Sequence, residues 1–175
     1  MSDRDWEIFS SKLRKSEYPK KAIILKLGQI ENHLSFIERG TVRLFIPGVE
    51  NDLTFGFSFE NQFVSAYDSF LLQKPCHYQI QTLSETILWK ISYQDLQDVY
   101  ARTEIGSTIG RLAAENLFLI KSERELSLLK ESAEERYLSL FKKRPELIRE
   151  IPSKYIASYI GITPQALSRI RKRIS

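Results

Sequence analysis

From about residue 20 to residue 92 the chain alternates apolar and polar side chains in short runs, a period of two that predicts strands. Leu34, Phe36, Gly40, Val42, Leu44 and Ile46 alternate with Ser35, Arg39, Thr41 and Arg43. Leu53, Phe55, Phe57 and Phe59 alternate with Thr54, Gly56 and Ser58, and Pro47-Gly48 and Asn51-Asp52 mark the turn between the two runs. Residues 78–83 and 87–91 add two more strands on either side of Ser84-Glu85. Many short strands with turn signals between them imply an antiparallel sandwich or barrel. Residues 63–75 interrupt the pattern with a short helix and loop that Lys74-Pro75 ends, a natural place for a ligand pocket.

Helical periods flank the strands. Trp6, Phe9 and Leu13 predict an amphipathic helix over residues 2–17, and after Ser92 the chain is helical to its end. A long helix from residue 103 to about 130 carries Ile105, Leu112, Leu119 and Leu126 at seven-residue spacing, with Ile109 and Asn116 in a second register. Such a partial coiled-coil seam suits a dimer, in which Asn116 meets its symmetry mate and fixes register. The plainer reading packs the helix on its own β-domain. Phe118 and Ile120 lie off the stripe and are expected to dock on the β-domain. Ser132-Ala-Glu-Glu135 is a capping box that opens another helix through Tyr137, Leu138 and Phe141, stopping before Pro145. A domain boundary near Lys130–Ser132 follows.

Residues 151–174 are the most specific stretch and read as a helix-turn-helix. Ala157 lets two helices approach closely, Gly161 takes the positive φ of the turn, Thr163 caps the next helix and Pro164 occupies its first position. Leu167 and Ile170 face back onto Ile156 and Ile160, and Gln165, Ser168, Arg169 and Lys172 share the opposite face. Residues 151–175 hold Lys154, Arg169, Arg171, Lys172 and Arg173 with no acidic residue, so the net charge of +4 is concentrated there. A basic face of this kind attracts a polyanion.

The remaining composition mostly excludes. Cys76 is the only cysteine, which rules out an intrachain disulfide and an iron–sulfur cluster and suits a reducing compartment. The start of the chain lacks a signal pattern and no apolar run approaches a bilayer span, so a soluble cytoplasmic protein is expected. Two histidines, His33 and His77, lie on separate segments, which argues against a metal centre; haem ligation by either is set against a structural or surface role. No Ser-His-Asp, P-loop or paired-carboxylate pattern stands out. A non-enzyme without cofactor or metal is expected.

In this order, a β-roll, a long helix and a C-terminal helix-turn-helix resemble the Crp/Fnr family of bacterial transcription regulators over nearly the whole chain. Residues 34–44, 70–75, 132–137 and 156–164 look like the branch common in Bacteroidetes. The resemblance implies an α+β fold. It comprises a cyclic-nucleotide-binding-like double-stranded β-helix (residues 1–101), a dimerisation helix (102–131) and a DNA-binding domain (132–175). It also implies a homodimer on double-stranded DNA, RNA polymerase as a further partner, a small-molecule effector of unknown identity, and no membrane. Gln165 and Arg169 match the family's base-reading positions, Arg169 suiting guanine and Gln165 adenine. Thr163, Arg171 and Arg173 are candidates for phosphate contacts.

Family members that bind cyclic nucleotides use Gly-Glu and, about ten residues later, Arg-Ser or Arg-Thr. Matching from Phe63 places Ser65-Ala66 and Cys76-His77 at those positions, so the glutamate and the arginine that would hold ribose and phosphate are absent. Cyclic AMP is therefore not expected to bind in the family's manner. Lys74 or His77 is left to meet an anion, against the plainer reading of solvated groups. Whether Phe70, Leu71 and Tyr78 fill the pocket stays open. The sequence ends at Ser175, directly after the second helix, so the wing that many relatives lay on the DNA backbone is expected to be missing. The alternative function is a ligand-binding or protein-interaction module of the same fold that no longer binds DNA.

Overall fold

The computed structural model describes residues 2–103 and 106–174. The fold is α+β, and the chain divides into two compact units, residues 1–47 with 56–114, and residues 48–55 with 115–175. The first contains α1 (Asp3–Ser11), β1 (Arg14–Tyr18), β2 (Ile23–Leu25), β3 (His33–Arg39) and β4 (Val42–Ile46). β5 (Leu53–Ser58) leads back into it, followed by β6 (Phe63–Val64), α2 (Tyr67–Leu72), β7 (Gln79–Thr82), β8 (Thr86–Ser92) and α3 (Tyr93–Arg102). The strands form two sheets in the orders β1-β8-β3-β6 and β2-β7-β4-β5. Leu25, Ile37, Val42, Val64, Ala66, Cys76, Ile80 and Leu88 form the apolar core of this roll.

β3 shows why alternation reveals a strand without revealing which face is buried. Ser35 and Ile37 are both buried, Ile37 within the core of the roll. Leu34 joins a second cluster built from Phe70, Ile91, Leu96 and Val99, to which α1 adds Ile8 and Phe9. The strand is thus covered on both sides around Leu34–Ile37, and Ser35 cannot be read as solvent-facing.

Two local expectations change. The first helix ends at Ser11, because Arg14–Tyr18 pair antiparallel with β8 from Arg14↔Lys90 to Tyr18↔Thr86. Completing a sheet edge outweighs the helical preference of Arg14-Lys15. The run from Leu34 to Ile46 is two strands, broken at Gly40, whose φ is +109°. α5 (Ala133–Lys143) stops before Pro145 as expected, and that proline starts a further helix, α6 (Pro145–Glu150), as its first-turn proline.

The second unit contains most of α4 (Gly106–Lys130), then α5 (Ala133–Lys143), α6, α7 (Ser153–Tyr159) and α8 (Pro164–Ile174). α5 opens with the expected capping box, Ser132 and Glu135 each bonding the other's backbone N–H. Tyr137, Leu140, Leu147, Ile151, Ile156, Ile160, Leu167 and Ile170 are buried. Ser158 Oγ accepts from Thr54 N–H at 2.8 Å and donates to the carbonyl of Asp52 at 2.9 Å, tying α7 to the segment 48–55. Phe118 and Ile120 are 70% and 47% exposed. Among the described residues no helix is long and apolar enough to cross a membrane.

Gly40 combines a positive φ of +109° with a close approach to the backbone of Glu85 and Thr86. A Cβ there would lie 2.6 Å from the carbonyl oxygen of Glu85 and 2.8 Å from Cα of Thr86. Gly40→Ala is expected to lower unfolding stability by about 1–3 kcal/mol from the backbone conformation alone. Urea denaturation reads it; a midpoint equal to the parent's would contradict this account of the turn.

Candidate nucleic-acid interface

Helix α7 ends in a Schellman motif. The N–H of Ile162 bonds the carbonyl of Ala157 at 2.9 Å, the N–H of Gly161 bonds that of Ser158 at 3.0 Å, and Gly161 has φ +77°. An added Cβ would meet only Leu128 at 3.5 Å and Arg136 at 4.0 Å, so glycine is needed here for its conformation rather than for space. Thr163 Oγ1 then accepts from the N–H of Ala166 at 3.2 Å, capping α8, and Pro164 fills its first position. Spacing within α8 separates its faces: Leu167 and Ile170 are buried, while Gln165, Ser168, Arg169 and Lys172 are exposed together.

The other cations of α8 are engaged. Arg171 donates from Nε to the hydroxyl of Tyr137 at 2.7 Å and from Nη1 to Ser153 Oγ at 2.9 Å, and it is half-buried. Arg173 forms an ion pair with Glu134. Of the seven residues nominated for DNA, Thr163 therefore caps, Arg171 braces, Arg173 is paired, and Gln165, Ser168, Arg169 and Lys172 form one outward face. Two arginines outside the motif escaped the sequence reasoning. Arg124 of α4 donates to the carbonyl of Tyr159 at 3.0 Å, and Arg136 of α5 donates to that of Ile160 at 2.8 Å. No sequence signal marks them, because an arginine on a helix surface is ordinarily solvated.

The seam residues of α4 lie open. Ile109 is 44% exposed, Leu112 53% and Leu119 65%, and Asn116 is exposed beside them; Ile105 lies outside the described residues.

Phe63 is exposed and meets Phe36 edge-on at 5.4 Å. Ser65 donates its hydroxyl to the carbonyl of His33 at 3.0 Å, Ala66 is fully buried, and His77 is exposed. Cys76 is buried, its thiol donating to the carbonyl of Tyr78 at 3.1 Å, and burial pushes its pKa up. Tyr78 donates to Asp68 of α2, which sets a carboxylate beside this loop. Phe70 and Tyr78 pack inward, whereas Leu71 is 51% exposed.

A cavity of about 490 Å³ is lined by Leu25, Glu31, His33, Ser35 and Lys90 among others. None of the five cassette residues lines it. Burial raises the pKa of Glu31, opposed by the N–H of His33 on its carboxylate, and burial followed by the nearby Lys90 lowers that of His33. Among the described residues no three His, Cys, Asp or Glu side chains gather at metal-binding distance.

A roll of two four-stranded antiparallel sheets, with a short helix between β6 and β7, defines a cyclic-nucleotide-binding-like domain, here carried with a helical unit that ends in a helix-turn-helix. Residues 15–103 match the cyclic nucleotide-binding domain, and the chain belongs to that family. No curated protein sequence matches it. Its fold is similar to that of the c-di-GMP responsive global regulator CLP of Xanthomonas campestris, at 18% identity and TM-score 0.74 over 99% of this chain and 91% of that one. It is also similar to FixK2 of Bradyrhizobium japonicum, at 13% identity and TM-score 0.77 over 93% and 84%. A regulator of the crp/fnr family from Eubacterium rectale is comparable, at 16% identity and TM-score 0.75 over 99% and 83%.

Different roles within α8 separate in stability. Arg171→Ala is expected to lower the stability of the second unit by about 1–2 kcal/mol through its two lost hydrogen bonds, and Arg169→Ala to leave it unchanged. Thermal unfolding of both variants checks this; equal midpoints would contradict the bracing role of Arg171.

Proposed function

We propose that the chain is a homodimeric, sequence-specific transcription regulator of the Crp/Fnr type that lays α8 in the major groove of double-stranded DNA. One observation carries the reading: α8 holds no acidic residue and presents Gln165, Ser168, Arg169 and Lys172 on one exposed face while Leu167 and Ile170 anchor the other. Arg169 reads the O6/N7 edge of a guanine, Gln165 an adenine, and Lys172 meets phosphate. Dimerisation through α4 is supported by its exposed Ile109, Leu112 and Leu119, and it supplies the two half-sites that a helix-turn-helix reads. The sequence segments quoted above place the protein in the Bacteroidetes-type branch on our reading, as a cytoplasmic regulator that responds to something other than cyclic AMP.

The case against cyclic AMP rests on its phosphate. Ser65 is spent on His33, Ala66 and Cys76 are buried and uncharged, and Asp68 adds a negative charge nearby. Isothermal titration is expected to give no micromolar binding of cyclic AMP; a micromolar constant would sink this part of the proposal. Arg169→Ala is expected to cost about 1–3 kcal/mol at the selected site and to relax specificity at one base pair. Lys172→Ala is expected to weaken specific and random duplexes alike and to reduce the salt slope by about one. Equal behaviour of the two variants on both duplexes would refute this division of roles.

A further inference from the structure

Every carbonyl at the end of α7 can be accounted for. Those of Ile156, Ala157 and Ser158 accept backbone N–H groups from Ile160, Ile162 and Gly161, and those of Tyr159 and Ile160 accept from arginine side chains. Both residues are buried, at 9% and 2% exposure, so water is a poor substitute. Arg124 supplies Tyr159 and Arg136 supplies Ile160, from two different helices. Arg124 also lies 4.8 Å over the ring of Tyr159, so its guanidinium is fixed by a hydrogen bond and by stacking at once. Arg136 is fixed too, donating from Nη1 to the carbonyl of Glu131 at the end of α4. The Nε–H of Arg124 is buried with no partner among the described residues, an unfavourable feature that solvating the side chain would remove. The side chain stays where the turn needs it.

We infer that Arg124 and Arg136 are positioning residues for DNA reading, which clamp the turn between α7 and α8 and so set the angle at which α8 is presented. This rests on the DNA-reading role proposed for α8. Because Arg124 belongs to α4, the clamp references the recognition helix to the C-terminal half of the helix proposed to dimerise. In a dimer, the separation of the two recognition helices then depends on these bonds as well as on the α4 seam. Neither arginine is required to touch DNA.

The test uses the full chain with Arg124→Ala and Arg124→Lys, read in two ways. Hydrogen exchange without DNA is expected to quicken at Gly161 and Ile162 at least roughly tenfold in Arg124→Ala and less in Arg124→Lys, which keeps a donor. Affinity for the selected site is expected to fall roughly tenfold or more in Arg124→Ala, with partial recovery in Arg124→Lys and no more than about a twofold change on random duplex. Unchanged exchange at the turn overturns the clamp. An equal loss on specific and random DNA overturns the positioning role, since it marks a phosphate contact or general unfolding. If Arg124→Ala fails to fold, both readouts on Arg124→Lys decide, with intermediate effects expected and parental values contradicting. If the parent chain prefers no sequence, the DNA-reading role fails, while exchange at Gly161 and Ile162 still decides whether the clamp exists.

Discussion

A helix that ends in a buried corner must find partners for its last carbonyls, and the second unit is organised around that requirement at α7. Gly161 turns the chain through a conformation that other residues adopt with strain, and the turn satisfies three carbonyls from the backbone. The last two fall to Arg124 and Arg136, reaching in from α4 and α5. With the corner closed, Leu167 and Ile170 seat α8 on its apolar side and leave one polar and basic side outward. The outward face is thus a consequence of the way the corner is built.

The first unit answers a different demand. Its strand β3 is covered around Leu34–Ile37 by the core of the roll on one side and by the cluster with α1 and α3 on the other. Polar groups near the cassette positions are consumed internally: Ser65 on a carbonyl, Tyr78 on Asp68, and Ser69 between the N–H of Glu31 and the carbonyl of Lys74. The cassette positions themselves hold Ser65, Ala66, Cys76 and His77. A fold and its ligand are separable, and CLP, which shares this fold, is described as responsive to c-di-GMP.

Periodicity made much of this legible. The strands β3, β4, β5, β7 and β8, the capping box at Ser132, the turn at Gly161 and the two faces of α8 follow from spacing and from residues with narrow backbone preferences, whereas β6 falls where a helix and loop were expected. Non-local pairing escaped it. Nothing in Arg14–Tyr18 shows that β8 has an edge to offer, and Pro145 reads as a breaker until the next helix is seen to start on it. The burial of Ser35 likewise depends on a second layer that no local window contains. At the candidate site, spacing put Gln165, Ser168, Arg169 and Lys172 together, but four consecutive positions with three cations, Ile170–Arg173, gave no means of separating the brace Arg171 from its neighbours. That distinction comes from Tyr137 and Ser153, distant in sequence, just as the arginines at the turn come from helices outside the motif.

The central claim is that this chain reads DNA as a symmetric dimer, and selection from a pool of random duplexes by the purified protein, sequenced at two salt concentrations, tests it most directly. The account predicts a palindromic site whose half-sites lie about one helical turn apart and whose enrichment weakens as salt rises. A folded protein that enriches no sequence at either salt concentration would contradict it and favour a ligand-binding or protein-interaction module built on the same fold.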